Sequence, residues 1–64
     1  MEEQREPIMK FFEHKHLKAE LSERSRPFCE LAEHIHATIP RNAERSTALR
    51  KLLEAKDCAV RAAL

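Results

Sequence analysis

The sequence predicts an all-α protein: a short N-terminal helix or arm, then an antiparallel helical hairpin, assembled as a homo-oligomer. Three observations carry that expectation. Among 64 residues there is no glycine, so tight hairpin turns between strands lack their usual residue. Apolar residues recur at helical spacing in two long stretches. Pro40 and Asn42 punctuate the gap between those stretches with a stop and a start. One small domain spanning 1–64 is the natural reading of this length.

The first element is the segment 7–16, Pro-Ile-Met-Lys-Phe-Phe-Glu-His-Lys-His, which carries two of the three phenylalanines. Pro7 can open a helical turn. The segment is too short to be a stable helix alone, so it reads as a short helix or arm that docks on something.

The second element is a helix over 22–39. Ser22 and Ser25 are both candidate N-caps, and Pro27 fits an early helical position. Phe28, Leu31, Ala32, Ile35 and Ile39 form one apolar face. Pro40 ends the helix by pushing Ile39 out of helical geometry.

The third element is a helix over 43–63. Asn42 is its N-cap, and Glu44 sits where the helix dipole favours an acid. Leu49, Leu52, Leu53, Ala59, Val60 and Ala63 share a face, and Arg50, Glu54, Asp57 and Arg61 form a charged ladder opposite. The linker Pro40-Arg41-Asn42 is short enough to make the two helices antiparallel neighbours.

On a wheel of about 100° per residue the apolar positions of the third helix cover an arc of roughly 160°. One partner helix fills less than that. The excess width predicts self-association, with helices of different subunits closing the core; coverage of the rest by the N-terminal arm is the competing reading. Arg45 and Lys56 lie nearly in line within this arc. A buried cation needs an anionic partner, so the pair is expected to snorkel outward, to meet a carboxylate of another subunit, or to hold an anion between subunits.

Composition excludes several functions. Without glycine there is no phosphate-cradling loop. No apolar run is long enough to span a membrane, and the charged start Met1–Glu6 lacks a secretion signal, so a soluble cytoplasmic protein is expected. Cys29 and Cys58 are single and read as reduced, small apolar residues. His34 and His36, two apart on a helix, point different ways and cannot share a metal; no zinc spacing is present, and neither metal nor cofactor is expected. No nucleophile carries a framing motif, so an enzyme is not expected. Residues 41–64 hold six bases against three acids, a local +3 that suits an anionic ligand and is too weak to announce a DNA-binding protein. Phe11, Phe12, His14, Lys15, His16 and Lys18 precede Arg24, Ser25 and Arg26. Flat rings beside guanidinium groups suit a nucleobase with a phosphate; core packing of the rings is the competing reading.

The order of several pieces carries a resemblance. Phe12-Glu13-His14-Lys15-His16-Leu17, Ser25-Arg26-Pro27-Phe28, Leu31-Ala32, Ile39-Pro40, Glu44-Arg45, the run Ala48–Asp57 and Ala59-Val60-Arg61-Ala62 follow one another. From Phe11 on, the chain resembles the phage anti-CBASS sponges for cyclic oligonucleotides, whose helical-hairpin domain also occurs in an anti-Thoeris family. The resemblance implies a hexamer built from dimers, acting in the cytoplasm of an infected bacterium. It implies inter-subunit pockets for cyclic dinucleotides and separate pockets for cyclic trinucleotides, with no chemistry performed on either. By the same resemblance Phe12 or His14 stacks on a base, and Arg26, with Ser25 beside it, meets a phosphate. Arg24 is the alternative phosphate contact, and Arg61 serves the trinucleotide pocket. Many relatives have tyrosine where this chain has His14. A small helical nucleic-acid-binding regulator and a structural oligomerisation module are the rival readings.

Overall fold

The computed structural model describes residues 6–14 and 17–64 and is all-helical over them. A 3₁₀ helix, Pro7–Phe12, is followed by two α-helices, α1 (Ala19–Thr38) and α2 (Ala43–Ala62), which pack as an antiparallel hairpin.

The 3₁₀ helix is the expected arm, shorter than the 7–16 segment. Pro7 occupies its first turn. With three residues per turn, Met9 and Phe12 stand on one face, and both are fully buried. Ile8 packs at the edge of the same cluster while Phe11 points outward. Beyond Phe12 the backbone at Glu13 is extended, and it is again extended at Lys18, immediately before α1.

Helix α1 begins at Ala19, three residues before the expected start. Ser22 and Ser25 therefore lie inside the helix, and neither is its N-cap; Lys18 holds that position without a side-chain cap. The extra turn is held from outside. The Ser22 hydroxyl lies 2.7 Å from Nδ1 of His14, and Leu21 is half-buried. Pro27 consequently falls in the helix interior, where it has no N–H to offer the Glu23 carbonyl one turn back. At the other end, the Ile39 amide donates to the Ile35 carbonyl at 3.0 Å, and Pro40 follows. Asn42 caps α2 as its residue type requires: its side-chain oxygen accepts from the Arg45 amide at 2.8 Å.

The core is Met9, Phe12, Ala32 and Leu49, bordered by Ile8, Phe28, Cys29, Ile35, Leu52 and Leu53. Ala32 of α1 and Leu49 of α2 enter this cluster together with Met9 and Phe12, the two large buried side chains of the arm. The arm thus lies along one side of the hairpin. The other side keeps Leu31 and Ile39 exposed at 48% and 43%, with Phe28, Ile35, Leu52 and Ala59 half-buried and Ala48 and Ala55 exposed. The wide apolar arc of the sequence is covered on one edge and open on the other.

Candidate functional site

Arg45 and Lys56 point into the hairpin, and each finds its partner within the same chain. Arg45 is 4% exposed. Its Nε donates to Oε1 of Glu6 at 2.7 Å, and Nη2 pairs with the same oxygen. Nη1 donates to the carbonyls of His36 at 3.1 Å and Ile39 at 2.8 Å, near the end of α1. The other carboxylate oxygen of Glu6 accepts from the Ser46 hydroxyl at 2.8 Å. Burial alone would raise the Glu6 carboxyl, but the Ser46 hydroxyl, the Arg45 guanidinium and the more distant Arg41 charge together hold it below its ordinary value. Lys56 is buried as well. Its ammonium donates to the Phe11 carbonyl and lies 3.7 Å from Asp57. Within the chain, the arm supplies a contact for each cation: the Glu6 carboxylate for Arg45 and the Phe11 carbonyl for Lys56. Sequence spacing missed Glu6 because an acid in front of Pro7 belongs to no periodic pattern.

Three of the residues marked from sequence are drawn inward. Phe12 is 0% exposed and has no face free for a base. Ser25 is likewise 0% exposed, and its hydroxyl has no hydrogen-bond partner among the described residues. Lys56 is committed to the Phe11 carbonyl. The ring that meets solvent is Phe11, 54% exposed, with the Lys10 ammonium 5.3 Å from its centroid.

The other four lie nearer the surface but do not converge. His14 is half-buried against Ser22, and Arg26 sits one turn beyond Ser22 on the same side of α1. The Arg26 guanidinium is exposed and pairs with Glu23 at 2.9 Å. Arg24 faces the opposite, open side. It borders a shallow groove with Ala59, Ala62 and Ala63. A larger groove, about 840 Å³, continues from it past Leu17, Lys18, Leu21 and Leu64. Arg61 projects from the outer surface of α2, where Nη2 donates to Cys58 Sγ at 3.4 Å. His16 and Lys15, counted in the sequence cluster, lie outside the described residues, as does the start of the chain through Arg5.

Among the described residues no three His, Cys, Asp or Glu side chains gather as a metal site, and no helix is long and apolar enough to cross a membrane. Compared with known proteins, the chain matches no family model, no curated protein and no solved structure.

Proposed function

We propose that this chain is a non-enzymatic sponge for cyclic di- and trinucleotides, assembled from several copies that create the binding crevices. The observation that carries the reading is the half-open hairpin. An apolar strip from Phe28, Leu31 and Ile35 across to Leu52 and Ala59 is only partly covered: Leu31 is exposed, the other four are half-buried, and the exposed Arg24 stands at its rim. Copies that pack through such a strip form crevices flanked by cations, and phosphates are drawn to them. The ordered pieces that resemble the anti-CBASS sponges supply the identity of the anion. His14 and Arg26, on one side of α1, suit a base and its phosphate, with Phe11 offering the exposed ring nearby.

The test joins light scattering with calorimetry. The expected mass is a multiple of the 7.5 kDa chain. Arg26→Ala is expected to lose cyclic dinucleotide binding while that mass persists, and Arg61→Ala to lose cyclic trinucleotide binding alone. A stable monomer that binds neither ligand refutes the reading. An oligomer that binds neither identifies a structural oligomerisation module, the reading the open apolar strip favours next. Salt-sensitive binding to duplex DNA in place of cyclic nucleotides would identify a nucleic-acid regulator.

A further inference from the structure

The turn end of the hairpin carries a cationic cluster that the sponge reading does not use. Its centre is the carboxylate of Glu6, gripped by the Arg45 fork on one oxygen and by the Ser46 hydroxyl on the other. A guanidinium edge plus a hydroxyl is also the donor set that holds a phosphate. The fork cannot swing away, because Nη1 is tied to two backbone carbonyls. Asn42 fixes the turn from which Arg45 and Ser46 project by accepting the Arg45 amide.

Two features beside this grip are left over by a carboxylate. A hollow of about 440 Å³ adjoins it, lined by His36, Thr38, Ile39, Pro40, Arg41 and Arg45. His36, whose carbonyl accepts from Arg45, is part of this lining, and its buried Nε2 has no hydrogen-bond partner among the described residues. Arg41 is exposed and adds its positive charge to the field at Glu6. A planar carboxylate has two oxygens, and both are already engaged. A tetrahedral oxyanion has further oxygens to offer Arg41, and carries more charge for the two guanidinium groups.

We infer that the turn of this hairpin is a phosphate-binding site, occupied in the free chain by Glu6 as an internal competitor. The ligand chemistry is a phosphate with at least three free oxygens, either inorganic phosphate or a phosphomonoester. Its binding displaces the Glu6 carboxylate from Arg45 and Ser46 and loosens the start of the arm, which Met9 and Phe12 still anchor. The site lies within one chain and does not depend on the oligomer seam.

The experiment titrates the full chain and its Glu6→Gln variant with inorganic phosphate and, separately, with glycerol 3-phosphate, following backbone and arginine Nε–H signals by NMR. Removing the competing charge is expected to tighten phosphate binding at least tenfold, with shifts at Arg45, Ser46 and His36. Adding Arg41→Ser to that variant is expected to weaken binding several-fold. Binding of glycerol 3-phosphate as well as inorganic phosphate identifies a monoester site; binding of inorganic phosphate alone identifies a free-anion site. Equal affinity in wild type and Glu6→Gln, shifts confined to other residues, or no effect of Arg41→Ser overturns the inference. Should Glu6→Gln fail to fold, recovery of helical circular dichroism on adding phosphate supports the site, and no recovery overturns it.

Discussion

Arg45 and Lys56 hold the two ends of the arm: the guanidinium takes the Glu6 carboxylate just before it, and the ammonium takes the Phe11 carbonyl near its close. Their separation on α2 spans roughly 16 Å at 1.5 Å per residue. The six-residue 3₁₀ helix between the clamps spans about 12 Å at 2 Å per residue. The two lengths differ by about 4 Å, a gap that side chains as long as those of Arg45 and Lys56 can bridge. Met9 and Phe12 fill the interval between the clamps.

Breaking the first clamp strands a buried cation. Glu6→Gln is expected to destabilise the fold by about 3 kcal/mol, the range found when one partner of a buried ion pair is removed. Urea unfolding measures it. Glu44→Gln, at an exposed first-turn acid, is the comparison and should cost less than about 1 kcal/mol. Equal costs would show that the buried pair contributes nothing special.

The same carboxylate gives the fold an acid-sensitive component. Glu6 sits below its ordinary value of 4.5 in the folded chain, so the folded state binds its proton less readily than the unfolded state does. Its contribution is complete above the ordinary carboxylate range and fades as pH falls through the lower folded value. The urea midpoint of wild type is therefore expected to drop between pH 5 and pH 3 by more than that of Glu6→Gln. Parallel pH profiles for the two proteins would contradict this.

The neighbouring phenylalanines should behave oppositely. Phe12→Ala empties the centre of a very small core and is expected to cost about 3–5 kcal/mol, enough to unfold the chain. Phe11→Ala removes a half-exposed ring and is expected to change stability by about 0.5 kcal/mol or less. Circular dichroism with thermal melts separates the two.

Ser25→Ala is expected to stabilise the protein by about 1 kcal/mol. The hydroxyl is buried without a partner among the described residues, so alanine relieves a desolvation cost and deletes no bond seen there. A lower melting point in Ser25→Ala would mean that the hydroxyl has a partner after all.

Much of the fold was legible because the chain uses local rules openly. Asn42 is a strong cap with an acid two residues on, Pro40 forbids continuation, and α2 is written in good helix formers. The start of α1 was not legible. Ser25 and Pro27 imitate a helix opening, yet the helix begins at Ala19 because His14 and a half-buried Leu21 support an earlier turn. Among the marked site residues, the direction each side chain takes was not legible. Phe11 and Phe12 are identical letters, and only the threefold repeat of the arm decides which ring goes inside.

The sequence by itself determined the helices, the turn between them, and the presence of two cations inside an apolar arc, since each follows from residues within a few positions of one another. Only the tertiary structure decided what those cations meet and which edge of the hairpin stays open. Arg45 and Glu6 are far apart in the chain, and no periodicity links them; their pairing exists because the arm folds back over α2. Which partner a buried charge finds depends on what the whole chain brings within reach, and short-range pattern carries no record of that.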